Sequence, residues 1–468
     1  MEDRKRNQIL LVLFIGVLMG ALDIAIVGPA LPAIQKSFGV GDRALAWMFS
    51  IYVLFNLIGT PLMAKMSDLF GRRLVYVLDV SLFAAGSLLV ALSPSFGVVL
   101  VGRAIQGFGA GGIFPVASAV IGDTFPPERR GRALGLIGAV FGLAFIIGPI
   151  LGGVLLLAGW QWLFIINLPI AAVVVWMSLR LLPSKRLQAG VSFDWAGMLV
   201  LATLLAALAY GINQIDTGHF FTSLVSLQVL QFLLAFALLL VLFIFVERKQ
   251  ESPILRLDLF KTRQLALAYA LSTGAGFGEA GLVFMPALAL AALGYLGVTK
   301  SSASFLLMPV VVAMGIGSPM IGRLLDEMGS RLVILTGTAI QAVGKFLLGN
   351  FAANMAMFII SGLLIGLGLV ALLGAPLRYI MLNEVSAADR SSAQGVLTLF
   401  TSVGQLMGAS VVGAVAASGG GGAAGFSSAY LVTGGIAVVL ALIAFNLKSR
   451  AAERETVTRN TSVEVQEV

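Results

Sequence analysis

Asp23, Arg103 and Glu279 stand inside long apolar stretches, in Leu22–Pro32, Leu100–Gly111 and Thr273–Leu282. An ionisable side chain in such a setting is costly enough to demand a functional reason. Arginine keeps its charge, so Arg103 must face an anionic partner or a water-filled cavity. At 1.5 Å per residue, Asp23 and Arg103 each lie roughly 8 to 10 Å from the outer ends of their helices, and can meet at one depth. A carboxyl group between dry surroundings and a permanent cation is a place where a proton is taken up and released. The other reading of the pair is an ion pair that locks two helices together. Glu279, among glycines, can attract a cationic substrate or carry a second proton; alternatively it hydrogen-bonds a neighbouring helix. Asp23 is a candidate for substrate contact as well as for proton coupling. Asp79 is expected to pair with nearby basic residues, and Lys345 to reach outward along its apolar stem.

Other chemistries are excluded. Cysteine is absent and His219 is the single histidine, so thiol catalysis, disulfides and a histidine or cysteine metal cluster do not arise. No cofactor, and no nucleophile with a base or nucleotide loop, is implied. The net charge of +8 does not point to nucleic acid, because the basic residues sort by membrane side.

The elements that must position these residues are membrane spans. Of 468 residues 59% are hydrophobic and 11% charged, where soluble domains average about 25% charged. A spanning helix needs about 20 apolar residues, and the chain contains fourteen such runs, from 8–28 through 426–447. With the N-terminus inside, all of the 30 Lys and Arg except Lys36, Arg43, Lys300, Arg103 and Lys345 fall in cytoplasmic segments, as the positive-inside bias requires. The basic start runs into the first span without a cleavage site, which predicts a retained helix.

One loop occurs twice. In Ala64–Arg73 and again in Gly322–Arg331 an Asp precedes a Gly by three residues and the Gly precedes an Arg by two: Asp68, Gly71 and Arg73 in the first copy, with Arg72 beside them, and Asp326, Gly329 and Arg331 in the second. Glycine permits the tight turn, while Asp and Arg can cap helix ends. A duplicated membrane protein follows. The copies lie 258 residues apart, more than six helices need, and removing residues 194–246 restores the spacing. The expected organisation is a six-helix bundle at 1–193, an inserted helix pair at 194–246, a cytoplasmic linker at 247–263, a second six-helix bundle at 264–450 and a disordered tail at 451–468. The fifth run carries Gly138, Gly142, Gly148, Pro149, Gly152 and Gly153; these make either a hinge or sliding contact or an ordinary tight helix crossing.

Together these residues resemble the major facilitator superfamily, in its fourteen-helix drug:proton antiporter branch. The loop at Asp68 and Asp326 resembles the family's signature between helices two and three. Arg103 with Gln106–Gly107 resembles its fourth-helix signature, whose arginine is implicated in proton transfer. Gly148–Pro149 with Gly152–Gly153 resembles its antiporter motif, associated with export. Leu22–Pro32 and Trp160–Pro169 are similar to elements of the fourteen-helix branch. Ala64, Leu69 and Gln161 depart from the usual residues, and Ser361 stands 258 residues after Arg103, so the second half lacks the arginine. The resemblance implies an all-α membrane protein of two six-helix bundles with nested inverted repeats plus two inserted helices. It also implies a proton-coupled multidrug exporter working by alternating access, with the repeated loops as a conformational latch. The expected setting is the bacterial inner membrane with both termini cytoplasmic, the expected partners a proton, a lipophilic or amphipathic small molecule and membrane lipid, and the expected state a monomer. Export of an endogenous lipid or metabolite, or a non-transporting receptor, are the alternatives.

Overall fold

A computed structural model describes residues 3–456 apart from 126, 184–193, 251–252, 256, 261 and 386–389. Among the described residues the regular structure is helical. The first stretch holds α1 (Asp3–Phe38), α2 (Asp42–Phe70), α3 (Arg72–Ala91), α4 (Phe96–Thr124), α5 (Pro127–Leu155), α6 (Trp162–Ile165) and α7 (Asn167–Leu181). Then come α8 (Trp195–Asn213), α9 (Phe220–Leu224) and α10 (Leu227–Glu247). The remainder is α11 (Arg263–Val283), α12 (Met285–Leu293), α13 (Lys300–Phe305), α14 (Met308–Met328), α15 (Ser330–Phe351), α16 (Met355–Leu373), α17 (Ala375–Glu384), α18 (Arg390–Ser418) and α19 (Gly422–Ala444).

Among the described residues twelve helices are long and apolar enough to cross a membrane, or thirteen when α11 and the helix after it, bent by 41°, form one span. That is fewer than the fourteen expected. The count leaves out α5, a 29-residue helix that includes residues outside the described set. Breaks account for the other irregularities. Pro286 follows the break between α11 and α12, and Pro309 stands at the start of α14 after the short α13, where a proline's missing N–H is least costly.

The chain divides into two compact units, Met1–Ala206 with Thr299–Phe305, and Ala207–Val298 with Leu306–Val468. In the first, α4 packs between α2 and α3, α1 packs on α5, and α7 lies against α1 and α3. In the second the same partners recur: α16 packs on α14 and α15, α11 on α18, and α19 on α15. Glycines set these distances. A methyl group on Gly111 would lie 2.6 Å from the Asn56 carbonyl oxygen of α2, and one on Gly109 would lie 2.5 Å from the Asp79 carbonyl oxygen of α3. Small residues let helix backbones approach this closely where no hydrophobic force drives them together. Buried leucine, isoleucine and alanine around Tyr269 and Ile380 fill the core of the second unit. Of α10, Val229, Phe243 and Glu247 are buried while most of its apolar surface is exposed, as suits a helix bathed in lipid.

Two expectations need correction. Residues 450–456 are helical and Glu453 is buried, where a disordered tail from 451 was expected; 457–468 lie outside the described residues. Lys345 does not reach outward: it is 3% exposed, on the face of α15 one turn from the buried Gln341.

Candidate functional site

Asp23 and Arg103 meet. They project from α1 and α4 and both side chains are fully buried, with Arg103 Nη1 donating to Asp23 Oδ2 at 2.6 Å. The crossings that bring them there depend on α4, whose Gly102, Gly107, Gly109, Gly111 and Gly112 clear both flanks while Arg103 fills the space between. Neutral polar groups complete the cluster. Gln106 Nε2 donates to Asp23 Oδ1 at 2.6 Å and to Ser87 Oγ at 2.8 Å, while Gln106 Oε1 accepts from Arg103 Nη1 at 2.6 Å. Asn167 Nδ2, at the start of α7, donates to Asp23 Oδ1 at 3.3 Å and to Ser87 Oγ at 3.2 Å.

Arg103 is held from two further sides. Its Nε donates to the Met48 carbonyl at 3.1 Å, and its guanidinium lies 4.2 Å from the centre of the Tyr52 ring, a cation–π contact that gains weight when desolvated. Its Nη2 makes no hydrogen bond among the described residues. Five helices, α1 to α4 and α7, thus converge on one charge pair. A buried pair is stabilised only where further hydrogen bonds satisfy its remaining lone pairs and protons, and Asp23 has three donors, from Arg103, Gln106 and Asn167.

Asp79 lies one layer away and does not pair with basic residues. It is fully buried, its carboxyl group presses on the backbone of α4 at Gly112, and neither oxygen has a hydrogen bond among the described residues. Tyr76, one turn before it, is buried with its hydroxyl against Gly16 of α1 and is likewise unbonded among them.

In the second unit Glu279 of α11 is half-buried and accepts from Gln405 Nε2 of α18 at 2.9 Å. The two helices touch through Gly276 and Gly404, each seated on a backbone carbonyl of the other helix. Gln341 of α15 presses its amide on Gly278, and both polar atoms lack hydrogen bonds among the described residues.

The repeated loops take matching backbone shapes. Gly71 has φ 97 and ψ 145, and Gly329 has φ 81 and ψ 166, a conformation a residue with Cβ resists. In the first copy Arg72 Nε donates to Asp123 at 3.0 Å and Arg72 Nη1 to Ser67 Oγ at 2.6 Å, while Arg73 Nε donates to the Leu182 carbonyl after α7 at 2.6 Å. The Asp68 side chain lies outside the described residues. In the second copy Arg331 lies 4.5 Å over the Phe445 ring after α19, and the Asp326 carbonyl accepts from Arg450 Nη2 at 2.8 Å. Each loop's second arginine position therefore holds the end of the last helix of its own half.

On α5, Gly148 meets Ala25 of α1, and a methyl on Gly152 would lie 2.8 Å from Pro29. Gly153 and Pro149 are buried in the same helix; the surroundings of Gly138 and Gly142 lie outside the described residues. Sequence reasoning gave Gln106 and Asn167 no bonds and passed over Ser87, Tyr52, Gln341 and Gln405. Gln106 and Asn167 were visible as polar residues within quoted motifs, but nothing in a single span tells which neighbour a neutral amide will meet.

Two helical units with recurring helix pairings, the first holding a buried charge pair, define a polytopic membrane protein. The chain matches the Major Facilitator Superfamily over residues 13–278 and again over 265–466. It is 33% identical over 409 residues to the MFS-type transporter YfiU of Bacillus subtilis, covering 86% of this chain and 78% of that protein. It is 31% identical over 416 residues to Multidrug resistance protein 3 of Bacillus subtilis, covering 87% and 79%. A bacterial homologue of the human lysosomal transporter Spinster, solved in an inward-facing, occupied conformation, superposes with a TM-score of 0.69 at 16% identity, over 98% of this chain and 99% of that one. The chain belongs to the Major Facilitator Superfamily and is a multi-pass membrane transporter.

Proposed function

We propose that this protein exports lipophilic or amphipathic small molecules in exchange for protons across the bacterial inner membrane. In this reading fourteen spans place both termini in the cytoplasm, and two six-helix halves alternate access to a central cavity as a monomer. The observation that carries it is the Asp23–Arg103 pair, 2.6 Å apart and fully buried. A structural lock alone has no need for a carboxylate that can be discharged beside a cation that cannot. Protonation of Asp23 removes the attraction for Arg103, while Gln106 and Asn167 still hold the neutral acid in place. The preference for one access state then changes by the difference in contact energy. Relatives named as multidrug resistance proteins support the cargo class, as do the aliphatic and aromatic side chains that dominate the helices.

The remaining sites take secondary roles. Glu279, with Asp23, selects charge on the substrate; Asp68, Gly71, Arg72, Arg73, Asp326, Gly329 and Arg331 act as the cytoplasmic latch. The α5 positions Gly138, Gly142, Gly148, Pro149, Gly152 and Gly153 act as a hinge or sliding element, with Gly148 and Gly152 against α1.

The test is purified protein in liposomes with an imposed pH gradient and a panel of lipophilic cations and neutral amphiphiles. Wild type moves the panel in the direction opposite to proton flow, and Asp23→Asn loses gradient-driven movement while keeping substrate exchange without a gradient. Unchanged gradient-driven movement in Asp23→Asn removes the residue from coupling, and a sodium requirement overturns the ion.

A further inference from the structure

The C-terminal tail meets the second copy of the repeated loop where the first copy uses its own arginine. Ser330 stands at the position equivalent to Arg72, as the first residue of α15. Its backbone N–H donates to Glu453 Oε2 at 3.1 Å and its hydroxyl donates to Glu453 Oε1. One turn earlier on the tail, Arg450 reaches the Asp326 carbonyl at 2.8 Å. Gly329 is packed beneath the two, with Arg450 Cβ and Glu453 Oε2 each 3.0 Å from where its methyl would be. Upstream, the Lys448 amide donates to Gln264 Oε1 of α11 at 2.9 Å. The Lys448 ammonium bridges Glu384 of α17 and Thr456 of the tail.

Isolated backbone donors at a helix start need partners, and no residue near Gly329 in sequence supplies a cap for α15. Glu453, more than one hundred residues away in the chain, does so while buried to 6% exposure. We propose that residues 447–456 are a brace for the second cytoplasmic loop, with Glu453 as the distant cap of α15, and that transport needs this brace although it touches neither Asp23, Arg103 nor Glu279. Glu453 is a positioning residue in this scheme: it acts through Ser330 and the Gly329 turn. Its effect on transport rests on the exporter reading, but the docking itself does not.

The chain has no cysteine, so spin labels can be placed directly at Glu327→Cys and Ala451→Cys, both exposed. At acidic pH labelled wild type gives one narrow distance, Glu453→Gln keeps it because an amide can make both bonds to Ser330, and Glu453→Ala broadens and lengthens it. In the transport assay Glu453→Ala, and a chain ended after Ser449, lower turnover about tenfold with KM unchanged, the scale of losing a helix cap, while Glu453→Gln restores it. A narrow distance that survives Glu453→Ala overturns the docking role. A broadened distance with unchanged turnover overturns the functional one. Should the shortened chain not fold, Arg450→Ala, which removes the bond to Asp326 and leaves the cap, gives a smaller broadening and a smaller loss; no change in either measurement counts against the brace. Because the label distance is read without cargo and without a gradient, it stands or falls separately from proton coupling at Asp23.

Discussion

The first and second units use the same helix pairings but fill them differently. In the first, α1, α3, α4 and α7 place Asp23, Ser87, Arg103, Gln106 and Asn167 in one connected cluster. In the second, Ser361 and Leu364 stand at the positions equivalent to Arg103 and Gln106, and Lys345 stands where the first unit has Ser87. On α11 the second unit has Glu279 bonded to Gln405, and it leaves Gln341 without a hydrogen bond among the described residues. A duplicated scaffold therefore constrains packing, through glycines and turn shapes, far more tightly than it constrains chemistry. The connected cluster belongs to one half, and perturbing it should cost most.

The largest effect is expected for Arg103→Ala. It leaves the Asp23 carboxylate in a dry interior with two amide donors, Gln106 and Asn167, and breaking a buried pair from one side costs about 3 to 5 kcal/mol. Gradient-driven transport should vanish and thermal stability, read by fluorescence-detected size exclusion, should fall. Arg103→Lys should rescue stability in part and transport little, because a compact ammonium lacks the planar fork whose Nε reaches the Met48 carbonyl while Nη1 reaches Asp23 and Gln106. Arg103→Ala with wild-type transport would erase the distinction between the halves.

Next comes Gln106→Leu, which gives the first unit the residue the second carries at Leu364. It removes a donor to Asp23, a donor to Ser87 and an acceptor for Arg103, an unpairing worth about 1 to 3 kcal/mol. Transport should drop on the order of tenfold to a hundredfold, and the reverse change, Leu364→Gln, should gain nothing. Glu279→Gln ranks third: uptake of lipophilic cations into inverted vesicles should weaken several-fold while neutral amphiphiles move as before. Equal losses for both classes would make Glu279 a structural partner of Gln405.

How much of this contrast the sequence revealed depended on the kind of residue. Asp23 and Arg103 were legible because a charge in an apolar run needs a partner, and helix rise put the two at one depth. The repeated loop was legible because Gly71 and Gly329 serve a backbone shape that few other residues tolerate. Gln106, Asn167 and Ser87 were not, since neutral polar groups in a span carry no sign of which neighbour they face. Lys345 read as outward-reaching because a lysine stem can snorkel; its burial follows from how α15 packs among its neighbours, a tertiary fact. The tail read as disordered because 451–468 is mostly polar, and its docking hangs on Glu453 finding Ser330 across more than one hundred residues.

The second loop should also respond to pH through Glu453. Burial raises the Glu453 carboxyl above its usual range, with Glu384 pushing the same way; the Ser330 hydrogen bonds and Lys448 oppose it. A group whose proton is held more firmly when docked stabilises docking fully below the ordinary glutamate range. That contribution is lost as pH rises through the shifted value. The label distance between positions 327 and 451 should accordingly narrow at pH 5 and broaden toward pH 8, and Glu453→Gln should abolish the dependence. A distance that broadens instead on acidification would mean the charged carboxylate, not the acid, is the docked form.

The smallest effect is expected where the second unit departs furthest from the first, at Gln341. Its amide occupies the same kind of interior position as Gln106 but has no hydrogen bond among the described residues, pressed as it is on Gly278 of α11. Removing a bonded polar group strands its partners, whereas replacing an unbonded one with an apolar group of similar volume strands nothing and relieves desolvation. Gln341→Leu should therefore leave transport within about twofold and keep or raise thermal stability by up to about 1 kcal/mol. Paired with Gln106→Leu, it puts one substitution at two interior amides and reads the difference between a bonded cluster and an unbonded amide. If Gln341→Leu instead costs as much as Gln106→Leu, the amide has a partner in the working cycle, and the second half carries more of the chemistry than its hydrogen bonds reveal.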